Sequence, residues 1–120
     1  MVDIDIEVQA EAERMTQLIL DQFPGGLIRR RGDSSKLALL YRRADLDGVY
    51  KGQGQKRYCH SGGGVVELFD NSGAQMGIFS CGLDGGDYRW DGRSPLDVCL
   101  NDLPPLSLEQ WGVLRQLLTR

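Results

Sequence analysis

Apolar and acidic residues alternate strictly through Val2-Asp3-Ile4-Asp5-Ile6. A period of two predicts a half-buried strand, with the aliphatic side chains on one face and both carboxylates on the other. From Val8 the period changes: Val8, Ala12, Met15, Ile19 and Phe23 are spaced by four, three, four and four, with acids concentrated in the first turns. This spacing predicts an amphipathic helix, and Pro24 with Gly25-Gly26 ends it. Leu27 to Arg31 reads as a strand, Gly32 to Ser35 as a turn, and Leu37 to Arg42 as a second, more buried strand.

The segment 43–63 is polar and glycine-rich, which predicts a long loop with one short strand around Lys56 to His60. Val65 to Phe69 and Gln75 to Cys81 are apolar runs joined by the hairpin signal Asp70-Asn71-Ser72-Gly73. Asp84-Gly85-Gly86 turns the chain into a short Tyr88-Arg89-Trp90 segment. Past Pro104-Pro105, Ser107 and Gln110 have the spacing of a capping box for a last helix whose apolar stripe is Trp111, Leu114 and Leu118. Strand, helix, hairpin, further hairpins and a closing helix describe an α+β domain built on an antiparallel sheet with two main helices.

Length and composition keep that reading within one domain. The chain has 120 residues, 41% hydrophobic and 26% charged, so it has the material for one core and is not a low-complexity polymer. Its longest aliphatic run, Leu37 to Leu40, is far short of the ~20 residues a membrane helix needs, and the acidic N-terminus lacks the basic start of a secretory signal. A cytoplasmic protein is expected. The three cysteines, Cys59, Cys81 and Cys99, are too few and too far apart for a disulfide framework. With His60 they also lack the close pairs of a zinc site.

Charge is distributed unevenly. Residues 1–27 carry six acids and one base, residues 28–60 nine bases and three acids, and residues 61–120 eight acids and four bases. A positive middle third between acidic flanks is a place to hold an anionic partner, although the net charge is −3. Eleven of the fourteen basic residues are arginine, whose planar fork suits bidentate phosphate contacts.

The acids suggest chemistry of their own. Asp3 and Asp5 project from one strand face, and two such charges about 6 Å apart repel by roughly 3 kcal/mol at an effective dielectric near 20. Water and salt on an exposed strand suffice to relieve this; a divalent cation, with Mg²⁺ or Mn²⁺ the natural choice, is the functional alternative. Glu67, alone inside Val65-Val66-Glu67-Leu68-Phe69, is the candidate third acid; a strand edge solvating one glutamate accounts for it equally well.

The order of these features resembles the archaeo-eukaryotic primase superfamily, and within it the bifunctional primase-polymerase (prim-pol) domains of phages and plasmids. Val2-Asp3-Ile4-Asp5-Ile6 followed by a helix looks like the first motif. Arg31-Gly32-Asp33-Ser34-Ser35-Lys36 with the apolar run to Tyr41-Arg42 resembles the stretch that follows in phage members. Val66-Glu67-Leu68-Phe69 through Gly73-Ala74-Gln75 resembles the third motif. Tyr88-Arg89-Trp90, Ser94-Pro95-Leu96-Asp97-Val98 and Leu103-Pro104 resemble the closing segment.

The resemblance implies an RRM-like catalytic half of a prim-pol domain spanning residues 1–120. It implies metal-dependent nucleotidyl transfer in DNA replication, with Asp3, Asp5 and Glu67 as catalytic acids and ligands of Mg²⁺ or Mn²⁺. It also implies binding of nucleoside triphosphates and of DNA or RNA. Lys36 stands where many relatives carry the histidine of a Ser-x-His motif, in a Ser34-Ser35-Lys36 version of it. Arg29, Arg31 and Arg42 are then candidate triphosphate or template-backbone contacts, whereas alternation sends Arg30 to the opposite face. In the relatives a further region precedes the first motif, so a homodimer or a partner chain is expected to cover that side. The alternative is a catalytically impaired nucleic-acid- or protein-binding module of phage origin, such as a replication accessory or inhibitor protein.

Overall fold

The computed structural model describes residues 1–32, 34–43, 54–60, 63–70 and 88–118. Along the chain run β1 (Val2–Asp5), α1 (Gln9–Gln22), β2 (Leu27–Arg31), β3 (Leu37–Leu40), β4 (Arg42–Arg43), β5 (Gly54–Cys59), β6 (Val65–Asp70) and β7 (Tyr88–Trp90). A 3₁₀ turn at Leu100–Asp102, β8 (Pro105–Leu106) and α2 (Leu108–Leu118) complete it. The predicted strand Gln75 to Cys81, most of its hairpin and the Asp84-Gly85-Gly86 turn lie outside the described residues.

Six strands form one sheet in the order β5-β6-β1-β3-β2-β7, and all its pairings are antiparallel. Because β1 and β2 both run antiparallel to the β3 between them, they are parallel to each other, and α1 is the crossover that returns the chain to start the second in the same direction. The fold is therefore α+β, with an antiparallel sheet and two helices. β4 and β8 pair in parallel as a separate two-stranded sheet.

The alternation in β1 decides which face is the core. Val2, Ile4 and Ile6 are fully buried and cluster with Leu37, Leu39, Val66 and Leu68 of the neighbouring strands. Ala12, Met15 and Ile19 of α1 join the same cluster, as do Leu106 and Leu114, while Leu118 packs against it. The Trp111 side chain lies outside the description. Within α1, buried Thr16 donates its hydroxyl to the Ala12 carbonyl at 2.7 Å, a bond that spares the hydroxyl an unsatisfied burial. The predicted capping box opens α2: the Gln110 amide donates to Ser107 Oγ at 3.1 Å and the Ser107 amide to Gln110 Oε1 at 2.9 Å.

Two expectations change. β5 is a six-residue strand paired along its whole length with β6, longer than the short strand predicted around Lys56 to His60. The strand predicted over Leu37 to Arg42 ends at Leu40. There the buried Tyr41 donates its hydroxyl to the Phe23 carbonyl at 2.6 Å, and the Arg42 amide donates to the Pro104 carbonyl at 3.0 Å. These long-range bonds carry the chain out of the large sheet and into the small one.

Candidate active site

Register assembles the site. Asp3 stands directly opposite Glu67 on β6 and Ala38 on β3; Ala38 in turn faces Arg29 on β2, and Arg29 faces Trp90 on β7. Arg57 on β5 faces Glu67 from the other side. Directly opposed residues share a face with Cβ atoms about 4.5–5.5 Å apart, so this row runs across the sheet on the side away from Val2, Ile4 and Ile6. One step along, Asp5 faces Val65, and Arg31 faces Tyr88. All three predicted acids thus lie on one patch of one face.

A glycine fixes the approach of β6. The β5–β6 hairpin closes with the His60 amide on the Gly64 carbonyl and the Gly63 amide on the His60 carbonyl, both at 3.0 Å. Gly64, at φ +99°, lies so close to β1 that a Cβ there would press into the Asp5 carbonyl oxygen and the Ile6 Cα. Gly63 beside it also takes a positive φ, +98°. His60 adds a tie of its own, with Nε2 3.1 Å from Glu11 Oε2 on α1.

Cations share the patch. Lys36 Nζ lies 3.1 Å from Asp5 Oδ1, and Arg29 Nη2 lies 3.7 Å from Asp3 Oδ1. The Arg29 side chain is almost wholly buried, and its guanidinium sits 4.2 Å from the centroid of the Tyr88 ring, a cation–π contact. Asp3 has its pKa raised above the usual aspartate value. Burial is the main cause, and the nearby Glu67 and Asp5 carboxylates add to it against the opposing pull of Arg29 and Lys36. Among the described residues no three His, Cys, Asp or Glu side chains converge into a group that could hold a metal ion. The two aspartates turn to Arg29 and Lys36 instead.

The predicted phosphate contacts divide. Lys36 lies beside Asp5, and Arg31 lies across from Tyr88 on the same face. Ser34 is exposed in the β2–β3 turn, where its hydroxyl accepts the Lys36 amide at 3.1 Å. Arg42 does not join them. It sits in the small sheet with Nε 3.3 Å from the Leu103 carbonyl, at the far end of β3 from Lys36. Five residues separate the two, four of them in β3, a span of up to about 20 Å. Arg29 lies on the same face but is almost wholly buried, against Asp3 and the Tyr88 ring. Arg30 faces the opposite way, as alternation requires, and binds Glu13 and Asp91, each at 2.7 Å.

These pairings also change the meaning of the positive middle third. Arg29, Arg30 and Lys36 are each matched by acids from the flanking segments, so three of its nine basic residues are paired within the fold. Sequence reasoning missed two members of the row, Arg57 and Trp90. Arg57 lies in the short strand expected around Lys56 to His60, but only the pairing with β6 sets it opposite Glu67, and Trp90 is joined to β2 only by the fold.

Comparison with protein-family models, with curated proteins and with solved structures returns no match. No helix among the described residues is long and apolar enough to cross a membrane.

Proposed function

We propose that this domain is a metal-dependent nucleotidyl-transfer core acting on nucleoside triphosphates and nucleic acid, as its resemblance to prim-pol domains implies. The observation that supports this best is the register that sets Asp3 opposite Glu67, with Asp5 two residues along on the same face. Like charges directly opposed across strands are unfavourable, and a patch that keeps three of them suits a cationic ligand. The strand order β6-β1-β3-β2, with α1 crossing from β1 to β2, is also compatible with an RRM-like half.

An all-carboxylate donor set fits a hard divalent cation, Mg²⁺ or Mn²⁺. Asp3, Asp5 and Glu67 would hold it once Lys36 and Arg29 yield their carboxylate contacts. Such ions supply activation of an attacking 3′-oxygen and neutralisation of a leaving pyrophosphate. Lys36 and Arg31 meet the triphosphate, the first as a point charge and the second as a planar fork.

Calorimetric titration with Mn²⁺ and a primer-extension and de novo priming assay test this reading. Replacing Asp3 and Asp5 together by Ala is expected to abolish both ion binding and nucleotide incorporation while circular dichroism is unchanged. Incorporation that survives the double replacement overturns it. A binding module without catalysis is the second reading, and the internal pairing of Asp3 with Arg29 and Asp5 with Lys36 favours it. Oligonucleotide or protein binding with no Mn²⁺ uptake and no incorporation selects that reading.

A further inference from the structure

Tyr88 and Trp90 alternate with the exposed Arg89 on the three-residue edge strand β7, so both rings lie on the carboxylate face of the sheet. Both are half-buried, which leaves part of each ring accessible. They are also braced. Arg29 stacks on the Tyr88 ring at 4.2 Å, faces Trp90 in register, and reaches the Asp3 carboxylate at 3.7 Å. One buried guanidinium therefore joins the aromatic edge to the acids. Arg31, directly across from Tyr88, sets a further cationic fork beside the rings.

We propose that Tyr88 and Trp90 form a stacking platform for unpaired nucleobases, which makes single-stranded nucleic acid the preferred partner of this face. The proposal rests on the reading of the carboxylate face as a nucleic-acid surface and names the strand form it takes. Two observations choose this occupant. Rings next to arginine complement both parts of a nucleotide, the base by its π-face and the phosphate by charge. The position also suits a strand passing the acids, because Trp90 lies three strand spacings from Asp3, about 14 Å at the usual separation of strands in a sheet. That is too far for a group bound at the carboxylates and close enough for a neighbouring nucleotide of the same strand. In a duplex the bases already stack on each other and offer no π-face, so the platform discriminates against it.

The test is fluorescence-anisotropy titration of a labelled twelve-residue oligothymidylate, its duplex with oligoadenylate, and an abasic oligonucleotide of equal length. Wild-type protein should bind the single strand at least ~5-fold more tightly than either control, within the range of base–aromatic stacking. Trp90→Leu should lose roughly tenfold for oligothymidylate with an unchanged salt slope, because no phosphate-binding group is removed. Trp90→Phe should stay within about threefold, since a ring remains to stack. In a Trp111→Phe background, oligothymidylate should quench Trp90 emission, a readout that does not depend on the Leu variant folding.

Equal affinity of wild type and Trp90→Leu, or equal affinity for single strand and duplex, overturns the platform. Mn²⁺ binding in the Trp90→Leu protein separates the two readings. If it is retained while strand preference is absent, the platform fails alone; if neither ion nor any oligonucleotide binds the wild type, the proposed function fails with it.

Discussion

The two faces of the sheet are built from the same strands one residue out of phase, and they obey opposite rules. On the helix side Ile4 has Leu37 and Val66 as its cross-strand neighbours, and all three are almost completely buried. On the other side Asp3 has Glu67 and Ala38 as neighbours and a buried arginine within ionic reach. The first face is settled by area removed from water, which is non-directional and tolerates exchange of one aliphatic for another. The second is settled by charge matching, in which each group depends on a named partner. A strand carrying Val-Asp-Ile-Asp-Ile thus supports a core and a charged patch without compromise between them, because neighbouring positions never compete for the same surroundings.

The sharpest way to break the contrast is to cross it. Ile4→Ala should cost about 3 kcal/mol of unfolding free energy, within the range for a fully buried aliphatic residue, and urea denaturation followed by circular dichroism measures it. Asp3→Ala, one residue away, should cost less than about 1 kcal/mol, because the charge it removes is held at a disadvantage. Equal losses would show that the carboxylate face is part of the core. Gly64→Ala comes next, expected at roughly 1–3 kcal/mol, since the added methyl meets the β1 backbone in a left-handed conformation. The same variant should lower Mn²⁺ affinity if β6 is what sets Glu67 opposite Asp3.

How much of this was legible in the sequence follows from the same distinction. The β1 alternation, the α1 spacing from Ala12 onward and the Ser107–Gln110 cap are local patterns, and each stands in the structure where the residues put it, whereas Val8, counted with the α1 stripe, is exposed ahead of the helix. Glu67 was also legible, as a lone acid in an apolar run. What escaped depended on distant partners. Arg29 and Arg31 look alike in sequence, but only Arg29 is drawn beneath Tyr88, 59 positions further along. Arg42 reads as the end of a strand until Pro104 supplies an acceptor for its amide and Tyr41 finds the Phe23 carbonyl. Only the second half of β5 was legible, since Gly54-Gln55 is polar enough for a loop and becomes strand through pairing with β6.

A smaller effect sharpens the charge side of the comparison. Replacing Arg31 and Lys36 by Ala should reduce the slope of log affinity against log salt for an oligonucleotide by about one to two units, one for each phosphate that is no longer neutralised. Replacing Arg30 by Ala should leave the slope unchanged, because Arg30 faces the helix side and is engaged by Glu13 and Asp91. An equal fall in both proteins would assign the salt dependence to overall charge and not to this face.

The smallest expected effect concerns Asp3 itself, and its sign is diagnostic. Burial and the Glu67 and Asp5 carboxylates raise its pKa in the folded protein against the pull of Arg29. The folded state therefore holds the Asp3 proton to higher pH than the unfolded chain does. Below the ordinary aspartate range, near ~3.9, Asp3 is protonated in both states and has no influence on stability. As pH rises from there through the raised value, the unfolded chain loses the proton first, so this group's contribution to stability falls and stays reduced at neutral pH. Asp3→Asn removes the titration. The Asn protein should therefore gain stability relative to wild type between about pH 3 and pH 7, with the difference read from urea midpoints at matched ionic strength. A relative loss over that interval would mean that Arg29 outweighs burial and that the Arg29–Asp3 pair is a stabilising bond. The patch would then be a closed ion-pair network, and its carboxylates would have much less reason to exchange Arg29 and Lys36 for a divalent cation.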